Sequence, residues 1–122
     1  MFNLFLTALI LLSPVHNLSA QKSHREIWLF TADADNASFI AQKAALNDFT
    51  GLKERDILIH EIIGFKAHQA LFKKYKASPQ KFTFILVGKD GGEKLRANGP
   101  VSQEKLYRTI DAMPMRKREM KQ

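Results

Sequence analysis

The sequence predicts one α/β domain: a four-stranded mixed sheet with helices on both faces, in the order β-α-β-α-β-β-α. Three observations carry that prediction. Apolar runs of strand length alternate with stretches of helical periodicity. Capping residues, glycines and prolines mark the junctions. An Asp-Gly turn late in the chain folds one strand back on the previous one before a last helix begins.

The first strand is read from "REIWLFTA", Arg25 to Ala32, where Ile27-Trp28-Leu29-Phe30 is an unbroken apolar run of the kind a buried strand needs. "DADN" supplies N-cap candidates. "ASFIAQKAALNDF" then reads as one helix ended by Gly51, with Ile40, Ala41, Ala44 and Ala45 as its inner stripe, widened by Phe39, Leu46 and Phe49. "RDILIHEII" is the second strand, with Ile57, Ile59 and Ile63 on one face and Leu58, His60 and Ile62 on the other. "FKAHQALFKKYKA" is the second helix. Phe65, His68, Leu71, Phe72 and Tyr75 form its inner face, and Ser78-Pro79 stops it. "FTFILVG" is the most apolar strand. After "KDGG", "EKLRA" returns as a polar edge strand with Leu95 as its large apolar residue. Ser102 caps the last helix, with Val101 and Leu106 as a hydrophobic staple and Leu106, Ile110 and Met113 as its buried stripe. Pro114 is expected to end regular helix before a basic tail.

The bulk properties set the class. The 122 residues suffice for one domain. Met1 to Leu12 is almost wholly apolar, about as long as a signal-peptide core and too short to span a bilayer. Ser13-Pro14 break that run, and Leu18-Ser19-Ala20 places a small residue before a cut. The expected organisation is a signal peptide over 1–20 and a single domain over 21–122. The mature chain would then be periplasmic or secreted, with no stable membrane span; a retained anchor is the alternative. The chain contains no cysteine, which excludes thiol redox chemistry and thiolate metal sites. Net charge is +7 and uneven: residues 1–65 carry 5 Lys/Arg against 7 Asp/Glu, and residues 66–122 carry 14 against 5. Such a skew favours an anionic partner, or serves only as a solvated face.

The predicted order is the minimal one of the thioredoxin-like fold; a different α/β arrangement with the same order is the alternative. In redox members of that fold the thiols follow the first strand, where a helix N-terminus lowers their pKa. Here that stretch is "TADADNAS", with Asp33 and Asp35. Helix capping accounts for both acids; a weak cation site with Asn36 is the alternative. Pro79 lies too early to serve as the proline that redox members place before the third strand. "HEII" at His60 lacks the second histidine of a zinc-protease motif, because Gly64 stands there. His60 and His68 read as core histidines, with a metal pair as the alternative. "GKDGGEK" lacks the G-K-[ST] ending of a phosphate loop. Met113, Met115 and Met120 offer soft ligands for copper(I), but Met113 continues a buried stripe. No nucleic-acid motif accompanies the basic composition. No catalytic, cofactor or metal residue is assigned, and no cofactor is expected.

"FILVGKDGGEKLR" followed by "PVSQEKLYRTIDAMPMRKREM" resembles the C-terminal half of the P-DUDES family, small bacterial proteins related to the DUDES domain of equarin and sushi-repeat extracellular proteins. "ERDILIHEI", Glu54 to Ile62, extends the match, so it covers most of the mature chain. The resemblance implies a thioredoxin-like, peroxiredoxin-related fold, no established activity, and a signature of candidate binding residues. These are Arg55 and Asp56; Lys89, Asp90, Gly91, Gly92, Lys94 and Arg96; and Asp111, Met113, Pro114, Met115, Arg116, Arg118, Glu119 and Met120. Two expectations follow for the basic end. Either Arg96, Arg116 or Arg118 pairs with Asp111 and Glu119 and pins the post-proline segment as a cap, or Arg116, Lys117 and Arg118 stay open to an anionic partner. The function expected is a non-redox binding module for a protein or an anionic envelope component; the alternative is an enzyme of non-thiol chemistry.

Overall fold

The computed structural model describes residues 21–122. The expected leader over 1–20 lies outside the described residues. Strand β1 (Arg25–Thr31) is followed by helices α1 (Ala37–Ala45) and α2 (Phe49–Glu54), then β2 (Ile57–Ile63). A 3-10 turn (Lys66–His68) runs into α3 (Gln69–Lys74), and β3 (Thr83–Val87) and β4 (Glu93–Ala97) form a hairpin. Helices α4 (Gln103–Asp111) and α5 (Pro114–Met120) close the chain. The strand order is β2-β1-β3-β4, with β1 parallel to β2 and antiparallel to β3. This is the mixed four-stranded sheet that the element order predicts.

The two inner strands are largely buried on both faces, which is why Ile27–Phe30 and Phe84–Val87 are unbroken apolar runs. Ile27, Leu29, Phe84 and Leu86 pack against Phe39, Leu46 and Leu52 of the α1–α2 layer and against Leu106 and Ile110 of α4. Phe30, Ile62, Ile85 and Val87 form the second core layer with Phe72 of α3. Ser102 caps α4, accepting from Lys105 N at 3.1 Å, and Val101 and Leu106 are both buried, as a staple requires.

Four expectations need correction. The first helix is two helices. Asp48 interrupts the run and caps α2, its Oδ1 accepting from Gly51 N at 3.1 Å. Gly51 therefore lies inside α2 rather than at a helix end, where a Cβ would run into the Asp48 carboxylate and the Tyr107 hydroxyl. The Ile40, Ala41, Ala44 stripe faces water. The buried face of α1 is Phe39 and Gln42, continued by the C-cap Leu46. Gln42 is wholly buried and satisfied: its Nε2 donates to Val101 O at 2.9 Å, and its Oε1 accepts from Val101 N at 2.6 Å. Asn36, not either aspartate, caps α1, accepting from Phe39 N at 3.0 Å, while Asp33 accepts from Asp35 N at 2.9 Å. Pro114 does not end the helical structure. It is the first residue of α5, where its missing N–H costs nothing.

Candidate functional site

Strands β1 and β2 begin, and β3 ends, at one end of the sheet, and α5 folds across that end. Arg25, the first residue of β1, is 1% exposed, and Arg116 in α5 is 3% exposed. Buried guanidinium groups persist only with carboxylate partners. Glu119 supplies them for Arg25, accepting from Nη1 at 3.2 Å and Nη2 at 3.3 Å, and it also accepts from Lys89 Nζ at 2.8 Å. Lys89 donates as well to Asp56 at 2.8 Å. Arg55 grips Asp111 with Nε at 3.0 Å and Nη2 at 2.9 Å, and its guanidinium lies 3.7 Å from the centre of the Tyr107 ring. Arg116 shares that carboxylate through Nε at 3.1 Å and reaches Glu54 through Nη2 at 2.8 Å.

Four cations (Arg25, Arg55, Lys89, Arg116) thus meet four carboxylates (Glu54, Asp56, Asp111, Glu119), and the charge cancels locally. Burial pushes the Asp111 carboxyl up, but hydrogen bonds from Arg55 and Arg116 outweigh it and hold the group below the ordinary range. Glu119 is held down in the same way, against burial, by Lys89 and Arg25. Tyr107 is pushed up to about 12 by burial and by the Asp48 carboxylate that accepts from its hydroxyl at 3.1 Å.

Beside this network lies a cleft of about 260 Å³. The β3–β4 turn, with Gly88, Lys89, Asp90 and Lys94, forms one wall; Met113, Pro114 and Met115 form the other, and Arg25 contributes to the lining. The turn is held by Gly91 N to Gly88 O and Gly88 N to Gly92 O, both at 2.9 Å, and Gly91 has φ 84°. A bulge follows, where Leu86 pairs with Leu95 but Val87 with Glu93.

The sheet edge formed by β2 is different in kind. Leu58, Ile59 and Ile63 are exposed along it, Phe49 of α2 is 78% exposed, and Ile40 of α1 is 54% exposed. Two shallow hollows of about 460 and 410 Å³ share Phe49 and Ile59. On the other face of β1 and β2, His60 stacks on Trp28 with ring centres 4.0 Å apart, and its Nε2 lies 3.3 Å from Glu26 Oε2.

The structure brings most of the expected signature residues to one place. Arg55, Asp56, Asp111, Arg116 and Glu119 join the ion-pair network; Asp90, Lys94, Met113, Pro114 and Met115 line the cleft; Lys89 belongs to both; and Gly91 and Gly92 shape the turn. Arg96 stands apart. It pairs with Glu93 at 2.9 Å and donates to Tyr75 O at 2.7 Å, closing the C-terminal end of α3. Arg118 and Met120 face solvent on the outside of α5. The acids near Asp33 lie at the opposite end of the sheet from this network. Arg25 and Glu54 were not among the expected residues. Arg25 opens an apolar strand, and that juxtaposition was the available signal for a buried charge. Glu54 looks like an ordinary helix-end acid.

A family model described as a domain of unknown function, DUF4174, matches residues 18–119. The chain belongs to the DUF4174 family. No curated protein matches it in sequence. Among solved structures, this DUF4174 domain is similar to thioredoxin-2, a component of the protein secretion machinery of the malaria parasite, with a TM-score of 0.59, 16% identity, and coverage of 74% of this chain and 84% of that one. It is similar to Trxlp from Edwardsiella tarda EIB202, with a TM-score of 0.57, 17% identity, and coverage of 80% and 92%. It is also similar to StoA from Bacillus subtilis, with a TM-score of 0.53, 14% identity, and coverage of 72% and 83%. These likenesses establish a thioredoxin-like fold.

Proposed function

We propose that this DUF4174 domain is an exported, non-redox binding module of thioredoxin-like shape, and that a protein partner docks on the β2 edge. The resemblance of its C-terminal half to the P-DUDES family supports the same reading, because that family is related to domains of extracellular proteins. Without cysteine the domain retains the fold's scaffold and lacks its thiol chemistry.

The observation that carries the reading is the exposed apolar set at this edge: Phe49, Leu58 and Ile59 line one hollow, with Ile63 further along β2 and Ile40 on α1 also exposed. This seven-residue edge strand has three exposed aliphatic residues and no Lys or Pro, and Glu61, paired with Lys43 at 3.5 Å, is its one acidic residue. The opposite edge, β4, is polar, bulged and ion-paired. Exposed apolar patches rimmed by polar groups mark protein contacts. The test is a photo-crosslinking residue at position 49 in cells, with position 118 as the comparison. A discrete adduct at 49 and none at 118 supports docking at the edge; equal, diffuse labelling at both overturns it. Export is tested by fractionation and by N-terminal sequencing, which is expected to begin at Gln21.

A second reading is favoured by a separate observation. Eleven Lys and Arg residues lack a carboxylate partner among the described residues, and the segment from Ile62 to Lys89 contains no acid. Lys66, Lys73, Lys74, Lys76 and Lys81 all face solvent there. An anionic envelope component would meet this face, and retention on a polyanion column that falls steeply with salt would reveal it.

A further inference from the structure

The glycines of "GKDGG" do more than turn the chain. Lys94 Nζ donates to Asp90 Oδ2 at 2.8 Å, and Gly92 N donates to Asp90 Oδ1 at 2.9 Å. Each carboxylate oxygen therefore has its own donor. The Lys94 stem lies across Gly88, where a Cβ would approach Lys94 Cε to 2.7 Å. A Cβ on Gly92 would stand 3.3 Å from Asp90 Oδ1 and 3.6 Å from Lys94 Nζ. Gly88 and Gly92 together leave room for one carboxylate beside one ammonium group. Asp90 fills that room in the free protein although its side chain is 51% exposed.

This cradle belongs to the wall of the 260 Å³ cleft, and the facing wall is Met113-Pro114-Met115. The other cations lining the cleft are committed: Lys89 to Asp56 and Glu119, Arg25 to Glu119. Lys94 alone is paired with an acid that sits on the turn itself. The site therefore has donors and charge for one monoanionic, two-oxygen group, and an apolar wall within the same small volume.

We propose that this cleft binds a carboxylate bearing a short apolar group, and that Asp90 holds the carboxylate position until such a ligand displaces it. The proposal is independent of the β2 edge. A free aliphatic acid and the C-terminus of a peptide ending in an apolar residue share this chemistry. A flexible methionine wall accepts either. Because Asp90 is tethered beside the cradle, it competes at an effective concentration in the millimolar range. Removing it raises apparent affinity by the inverse of the open fraction, about tenfold where the cradle is nine-tenths closed.

The experiment uses the full chain labelled at its methionine methyl groups, titrated with hexanoate, N-acetyl-leucine and their neutral amides, and followed by NMR. The expected result is movement of the Met113 and Met115 signals, with Met120 on the outside of α5 unmoved. Asp90→Ala and Asp90→Asn are each expected to tighten carboxylate binding about tenfold. Lys94→Met, which keeps the stem over Gly88, is expected to abolish it while thermal melting remains cooperative. Tighter binding of hexanoate assigns a free acid, and tighter binding of N-acetyl-leucine assigns a chain terminus. Equal binding of acids and amides, unchanged affinity in both Asp90 variants, or binding unaffected by Lys94→Met overturns the proposal.

Discussion

The base of the sheet and its β2 edge use opposite chemistry. The base holds charged residues that draw the eye in the sequence, and each of its four cations is matched there by a carboxylate. The edge holds ordinary isoleucines, a leucine and a phenylalanine, left uncovered. The difference teaches that a basic signature is no guide to a basic surface. Arg55 and Arg116 are inward ties that fasten α5 to the start of the sheet, whereas the unpaired cations lie elsewhere, on α3 and the outer face of α5, and the β2 edge is mainly apolar.

The largest test of this contrast is Glu119→Gln. It leaves the buried Arg25 guanidinium without a counter-charge and removes one of the two partners of Lys89. Breaking a buried pair from one side costs about 3–5 kcal/mol, and the partial exposure of Glu119 places the expected loss near 3 kcal/mol. In a domain of this size that lowers the thermal midpoint by more than about 10 °C. A shift of one or two degrees would show that the network is no cap.

The fold was legible because it is written in periodicities. The apolar runs at Ile27 and Phe84 mark central strands, and the Ser102 cap with its Val101–Leu106 staple marks the last helix. The cap was legible in part: Asp111 and Glu119 were recognised as acids needing basic partners, and Arg116 as one donor. Arg96 and Arg118, the other expected donors, do not reach these acids, and Arg25, Arg55 and Lys89, which do, were missed because their meeting depends on strand order, which brings residues 25, 55 and 89 to one end. The break between α1 and α2 was hidden because Leu46-Asn47-Asp48 preserves helical spacing of apolar residues while Asp48 caps the next helix. Phe49 reads as core in any periodic scheme. Only the position of α2 beside an edge strand leaves it in water.

Acid sharpens the same contrast. Asp111 and Glu119 are held below their ordinary range in the folded protein. A depressed folded-state pKa contributes stability that is complete above the unfolded value, near pH 4, and is lost as pH falls through the folded value. Stability is therefore expected to be level from neutral pH to about 5 and to fall below about 4, as α5 loosens. Each full unit of depression corresponds to about 1.4 kcal/mol. Denaturant melts across this range are expected to show a shallower fall in Glu119→Gln, which has one carboxylate fewer to protonate. An identical slope in the two proteins would place the acid-sensitive groups elsewhere.

Arg118→Ser should do much less. Its side chain faces solvent beside Arg116, yet no ion pair holds it among the described residues. The expected change in stability is within about 0.5 kcal/mol, the range of surface substitutions. A loss equal to that of Arg116→Ser would mean that the two faces of α5 are equally engaged, which the burial of Arg116 alone contradicts.

The smallest expected change in stability belongs to the edge, and it carries the largest functional consequence. Ile59 is more than a third exposed and lies between the two hollows that flank Phe49. Replacing it with lysine puts onto β2 the device by which natural sheets protect their edges. Little packing is lost, so the thermal midpoint is expected to stay within about 2 °C of the parent, in keeping with a surface change. A partner that uses this edge must bury the new charge, so the adduct expected at position 49 should disappear. The comparison therefore has two independent ways to break. If Ile59→Lys destabilises the domain as Glu119→Gln does, the edge is part of the core and the exposed strip has no separate role. If stability holds and the adduct persists, the partner docks elsewhere, and the unmatched lysines of the α3 face become the surface to probe.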